Sequence, residues 1–223
     1  MIKDTEMKLL IAYKSFINNT HMGDEILWKT NSHTPFYLNI GGHTQELNYQ
    51  ICKENKTDII NGYNHIGKID FLHNYIIHAK PPRAAREQLS FEWFKKETKH
   101  ADLEIWRLKH DISPDRHKRI IKEFYKLVEF KMSRSKGELV GVRYDWSVYF
   151  TLPFAMIGLG INARNRYHCS EIVFDSDKIE GIIDSPQGIN DALPTPNNNI
   201  NSGLRRKVWG FYTDEDRLDE NNS

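Results

Sequence analysis

The chain of 223 residues is 39% hydrophobic and carries 31 basic and 30 acidic side chains, a formal net charge of +1. This length and apolar content suit one domain with an extension, and the balanced charge argues against a nucleic-acid partner, which usually requires a clear basic excess. The two cysteines, Cys52 and Cys169, are too few for a disulfide framework and lack the CxxC spacing of zinc sites.

The amino terminus has no basic start followed by an apolar run, so no secretory signal is visible. No stretch approaches the roughly 18 uninterrupted apolar residues of a membrane span. The nearest, residues 150–161, is short and contains Pro153. We therefore expect no transmembrane segment and a reducing cytoplasm as the compartment. A phage or viral protein that acts in a host fits the same expectation.

The chain begins with a predicted helix and a short strand. Residues 6–17 repeat apolar side chains at helical spacing, and residues 18–23 end that helix. Residues 24–29 are typical of a short strand. Residues 31–62 combine a Gly-Gly pair with many polar side chains. We expect this long stretch to form loops and to carry substrate specificity.

A hairpin is predicted next. Residues 64–70 and 73–79 are two strand candidates joined by a tight connection. Pro81 and Pro82 end the second strand, because proline cannot continue a ladder of hydrogen bonds. Residues 89–96 predict one or two helical turns.

A further strand and an amphipathic helix follow. Residues 101–108 alternate apolar and polar side chains, as a strand does. Ser113 is a candidate N-cap, with Pro114 at the first helical position. The apolar stripe after them predicts a helix down to about Met132.

The last part of the chain divides into a core segment and a polar extension. Residues 144–159 predict a buried helix kinked near Pro153, and a second helix follows Tyr167. Residues 204–212 could dock through their apolar side chains. The predicted division is an N-terminal helix (1–20), a catalytic domain (21–184) and a Pro/Asn-rich polar extension (185–223) that is partly disordered.

Cysteine and histidine residues form the candidate catalytic site. Cys169 begins a predicted helix, where free N–H groups and the macrodipole favour a thiolate and could stabilise an oxyanion. His65 is the candidate general base, and Gly67 on the same side of its strand would leave room for substrate. His78, on the neighbouring strand, could hold the second ring nitrogen of His65 and fix its tautomer.

The order His, His, Cys resembles the circularly permuted papain-like branch of the NlpC/P60 superfamily, which includes the YiiX/YaeF-type proteins. Residues 23–27 (Gly-Asp-Glu-Ile-Leu) look like its first strand, and residues 64–67 (Asn-His-Ile-Gly) look like the strand that carries the base. Residues 167–173 (Tyr-His-Cys-Ser-Glu-Ile-Val) are similar to the nucleophile motif. The resemblance covers roughly residues 20–180. The cysteine segment is its most specific part.

The resemblance implies an α+β domain with a small antiparallel sheet packed against helices. It also implies a Cys-His-His site of Cys169, His65 and His78, with the Tyr167 hydroxyl directed toward the oxyanion. Where the family usually has glutamate, this chain has His78, which removes a negative charge that would stabilise imidazolium. The implied activity is a cysteine hydrolase of amidase or peptidase class that forms an acyl-enzyme on a small-molecule, peptide or acyl-amide substrate.

Three alternatives stay open at this stage. The same site could serve an acyltransferase or a lipid deacylase, or the domain could be a catalytically idle binding or structural protein. A zinc site formed by His65, Asp70, His73 and His78 is a third hypothesis, but no HExxH-like spacing supports it. We therefore expect no metal and no cofactor.

Overall fold

A computed structural model describes residues 4–29, 31, 63–80, 83–110, 112–128, 131–132, 139–144, 166–167, 169–179, 181, 200 and 203–213. Within these ranges the α-helices are α1 (Asp4–Asn19), α2 (Phe91–Thr98), α3 (Pro114–Val128) and α4 (Cys169–Ile179). The strands are β1 (Glu25–Lys29), β2 (Tyr63–Asp70), β3 (Tyr75–Lys80), β4 (Arg83–Gln88), β5 (Asp102–Leu108), β6 (Lys131–Met132), β7 (Leu139–Val140), β8 (Arg143–Tyr144), β9 (Arg166–Tyr167) and β10 (Arg205–Phe211).

One twisted sheet organises the described residues. Its strand order is β10-β5-β1-β2-β3-β4-β8-β9, and the first six strands pair antiparallel throughout. The two-residue strands β8 and β9 extend the edge and pair parallel to each other. The fold is therefore α+β, which confirms the predicted class of an antiparallel sheet packed against helices.

Strand alternation gives the sheet two apolar faces with different helices on them. On the first, which we call the α3/α4 face, the buried side chains include Leu27, Ile66, Ile77, Phe124 and Val173. On the second, the α1/α2 face, they include Phe16, Ile26, Trp28, Ile76 and Phe94. Neighbouring residues of one strand, such as Leu27 and Trp28, therefore belong to different halves of the core.

The carboxyl-terminal segment completes the sheet. Residues 205–211 form the edge strand β10 on β5, and Trp209 packs edge-on against Phe16 with ring centroids 5.3 Å apart. The predicted docking of residues 204–212 is confirmed, and it takes the form of strand pairing. The predicted domain boundaries at residues 20 and 184 stay predictions.

Several predicted bounds were wrong for local reasons. The second hairpin strand begins at Tyr75 because Phe71–His73 forms a 3₁₀ turn and Asn74 takes a left-handed conformation with φ +57°. The long amphipathic helix ends at Val128, short of Met132, because the Val128 carbonyl accepts a hydrogen bond from the Val142 amide at 2.8 Å. Strand β4 was not predicted at all.

Apart from Tyr144, which ends strand β8, the predicted helix over residues 144–159 lies outside the described residues, as do the proline pair and the 32–62 stretch. None of the helices in the described ranges is long and apolar enough to cross a membrane.

Candidate active site

His65 and His78 meet on the α1/α2 face of the sheet. Nε2 of His65 lies 2.7 Å from Nδ1 of His78, across the β2–β3 pair. A Cβ added to Gly67 would lie 2.9 Å from the Cβ of His78, so only glycine lets the second ring approach this closely. The space beside Gly67, which we predicted for substrate, is therefore taken by His78.

Trp28 covers both imidazole rings. Its ring stacks on His78 at 5.4 Å with an interplanar angle of 10°, and it lies 4.7 Å from the ring of His65. The register of β1 on β2 places Trp28 opposite His65, and its indole N–H donates to Glu97 at 2.9 Å. Sequence reasoning missed this residue, although alternation in the predicted strand over 24–29 puts it on one face with Ile26.

Glu87 lies next to the ring nitrogen of His78 that faces away from His65. Its Oε2 lies 3.5 Å from Nε2 of His78 and accepts a hydrogen bond from the Trp93 indole at 3.0 Å. Its other oxygen pairs with Lys80. Sequence reasoning missed Glu87 because the strand that carries it was not predicted.

Burial keeps both imidazoles neutral near pH 7. It lowers the pKa of His78 to about 3, with Lys80 acting in the same direction and Glu97 opposing. It also lowers the pKa of His65 well below its ordinary value, and His78 and Lys80 add to that effect. A neutral His65 is the protonation state that accepts a proton.

Cys169 lies on the other face of the sheet. It is the first residue of α4, as predicted, and it is 0% exposed. Its neighbours in the α3/α4 core include Ile66, Ile77 and Ala79, which alternate along their strands with the histidines. The structure thus brings His65 and His78 into contact, and the pairing of Cys169 with His65 stays a prediction.

The cysteine helix nevertheless begins at the sheet end where the histidines lie. Strand β9 ends at Tyr167, two residues before Cys169, and pairs with β8. Strand β8 in turn pairs with Arg83, which is in register with Lys80 at the end of β3. Cys169 and the histidine pair therefore share one end of the sheet. The oxyanion role of the Tyr167 side chain stays a prediction.

A buried ionic cluster fixes α4 to the sheet. Lys68 contacts Asp177 at 2.7 Å and Glu25 at 3.2 Å, while Arg205 contacts Glu25 at 2.8 Å and also pairs with Asp177. All four side chains are at most 2% exposed. Burial opposes ionisation of Asp177, but Lys68 and Arg205 hold its pKa below the ordinary value.

The four residues considered as zinc ligands lie at two separate sites, one at the hairpin turn and one at the other end of the strands. His73 is 66% exposed and contacts Asp70 at 2.7 Å at the hairpin turn, where Asp70 also accepts from the Tyr125 hydroxyl at 2.8 Å. His65 and His78 lie toward the other end of the strands. Across the described ranges, no three His, Cys, Asp or Glu side chains converge as a metal-binding group.

Comparison with known proteins gives a likeness in fold. No family model matches the chain, and no curated protein matches it. Among solved structures, the chain is similar to the metalloprotein YiiX from Escherichia coli O157:H7, with a TM-score of 0.51 and 14% identity over 87% of this chain and 99% of that one. The fold is YiiX-like. The predicted NlpC/P60 membership and chemistry are not tested by a likeness at this level of identity.

Proposed function

We propose that the chain is a cysteine hydrolase of amide or ester bonds, with Cys169 as nucleophile, His65 as general base and His78 as the residue that orients it. The observation that carries this proposal is the contact of His65 with His78 in a YiiX-like fold. A thiol at a helix start, at the same end of the sheet, supports it.

The proposed reaction has two halves. Neutral His65 takes the thiol proton, the Cys169 sulfur attacks the carbonyl carbon, and N–H groups at the start of α4 and the Tyr167 hydroxyl stabilise the oxyanion. Protonated His65 then gives its proton to the leaving amine or alcohol. Water, deprotonated by His65, hydrolyses the thioester and restores the free thiol.

The described contacts set a condition on this reaction. Because Cys169 packs on the α3/α4 face and His65 lies on the α1/α2 face, the reaction requires the sulfur and the imidazole to meet at the sheet end that they share.

A substrate panel with matched variants tests the proposal. We would assay N-acyl amino acids, muropeptides and phospholipids with the wild-type protein, Cys169→Ala, His65→Gln and a Cys52→Ala control. Cys169→Ala should abolish turnover, His65→Gln should lower it about 10²–10⁴-fold, and Cys52→Ala should leave it unchanged. Turnover that persists in Cys169→Ala would contradict the proposal and favour metal-dependent hydrolysis.

A catalytically idle binding domain is the second candidate, and the complete burial of Cys169 favours it. In that case a panel compound would bind without being turned over, and Cys169→Ala would bind it equally well. An acyltransferase on the same site would instead accumulate acyl-enzyme until an amine or lipid acceptor is added.

A further inference from the structure

We propose that Glu87 is a positioning residue that fixes the proton positions of the histidine pair and leaves Nδ1 of His65 as the nitrogen that accepts a proton. The chemical role of that nitrogen rests on the function proposed above. The proton positions themselves do not, because they follow from the contacts of three side chains.

The inference begins at Nε2 of His78. This nitrogen is buried, makes no hydrogen bond among the described residues, and lies 3.5 Å from Oε2 of Glu87. An ionised carboxylate only accepts hydrogen bonds. We therefore place the proton of neutral His78 on Nε2, which faces the carboxylate of Glu87 across 3.5 Å, and this leaves a lone pair on Nδ1.

The second step passes to His65. With a lone pair on its Nδ1, His78 accepts the hydrogen bond that joins the two rings over 2.7 Å. The donor must then be Nε2–H of His65, since a neutral imidazole carries one N–H and one acceptor nitrogen. Nδ1 of His65 is left unprotonated, and this is the basic nitrogen that the proposed reaction needs.

The sheet and its neighbours hold Glu87 in place for this role. The β3–β4 register pairs Ala85 with His78 and Glu87 with Ile76, so Glu87 lies diagonal to His78 on the same face. The Trp93 indole donates to its Oε2, and Lys80 pairs with its Oε1. Because Lys80 neutralises the carboxylate, Glu87 sets the tautomer without making the pair strongly basic.

This arrangement supplies a carboxylate near a position where the resembled family usually has one. His78 stands where the resembled family usually has glutamate, so that position no longer carries the charge. Glu87, on the next strand of the sheet, provides a carboxylate to the outer nitrogen of His78 instead.

Nitrogen-15 NMR of histidine-labelled protein tests the inference directly. In the wild-type protein, His65 and His78 should each give the spectrum of the Nε2–H tautomer. Glu87→Gln replaces the carboxylate with an amide that both donates and accepts, so both rings should shift toward a mixture of tautomers. Glu97→Gln, which alters the carboxylate bonded to Trp28 on the same face, should leave both tautomers unchanged.

A wild-type His78 that carries its proton on Nδ1 would overturn the inference, and so would a Glu87→Gln spectrum identical to wild type. If the variant does not fold, the wild-type spectrum alone decides. If the tautomers are as expected but the substrate panel shows no Cys169-dependent turnover, the proposed function fails and the positioning role of Glu87 stands.

Discussion

At the scale of single residues, the contact between His65 and His78 requires strands β2 and β3 to approach each other closely. Gly67 faces His78 across β2 and β3, and an added Cβ would also lie 3.0 Å from the Ile77 carbonyl oxygen. Its backbone is not in the left-handed region, so the requirement for glycine is one of space and not of φ. Trp28, on β1, packs against both histidine rings.

Gly67→Ala should therefore separate the two rings. The added methyl group must displace the His78 side chain or the β3 backbone, and we expect a loss of about 1–3 kcal/mol in the free energy of unfolding. Urea denaturation measures that loss, and a crystal structure of the variant measures the His65–His78 distance. A variant with wild-type stability and a 2.7 Å contact would contradict this account of Gly67.

The sequence predicted several of these residues because their signals are local. His65 and His78 sit in apolar strand segments with a clear hairpin, and Cys169 precedes a helical apolar pattern. Glu87 could not be found in this way, since β4 (Arg-Ala-Ala-Arg-Glu-Gln) follows a proline pair and lacks the apolar alternation of a strand. Its contact with His78 depends on strand register, which no short pattern specifies.

At the scale of elements, the buried ionic cluster decides where the cysteine helix lies. Lys68 and Asp177 are 109 residues apart in the chain and meet only because α4 crosses β2. Burying charges is costly, so removing one member of the cluster leaves its buried partners without a counter-charge. Two cations and two anions balance each other there.

Removing one charge should therefore destabilise the protein strongly. Asp177→Asn is expected to cost about 3–5 kcal/mol in the free energy of unfolding, because it leaves a cation unbalanced in the core. The double variant Lys68→Met/Asp177→Leu retains the Glu25–Arg205 pair and should recover most of that loss.

Lys118→Met provides the control for this prediction, since Lys118 pairs with Asp115 at an exposed site where both side chains are more than half accessible. Its effect should stay below about 1 kcal/mol. Urea unfolding measures all three variants. A harmless Asp177→Asn change would show that the cluster does not anchor α4.

The face that α4 covers could not be predicted from the sequence. Helical periodicity shows that residues 169–179 have an apolar side, but both sides of the sheet offer apolar side chains. The choice depends on the long-range pairing of Asp177 with Lys68 and Arg205. The same limit applies to β10, whose edge position follows from its register with β5.

At the scale of the whole molecule, the buried histidines make stability depend on pH. His78 ordinarily titrates near 6.5 when unfolded, and its pKa is about 3 in the folded state. Below 6.5 the unfolded chain binds the proton and the folded protein does not. The free energy of unfolding therefore carries no penalty from His78 above pH 6.5, and it declines as the pH falls from 6.5 toward 3.

The expected slope from His78 is about 1.4 kcal/mol per pH unit in that window. His78→Gln should flatten the profile of unfolding free energy against pH. Urea unfolding across the acid range measures the profiles of the wild-type protein and the variant. Parallel profiles for wild type and His78→Gln would contradict the burial of a neutral His78.

The α+β architecture was accessible from the sequence, since its strands and helices have local periodicity. The relation of thiol to imidazole was not, because it depends on how α4 enters from the far edge of the sheet. The central claim is that Cys169 and His65 nevertheless act together.

The most direct test is the rate of Cys169 alkylation by iodoacetamide at about pH 6, followed by peptide mass spectrometry, with Cys52 as the internal reference. An active dyad predicts that Cys169 reacts at least about tenfold faster than Cys52 and loses this advantage in His65→Gln. A Cys169 that reacts no faster than Cys52, and is unaffected by His65→Gln, would contradict the account.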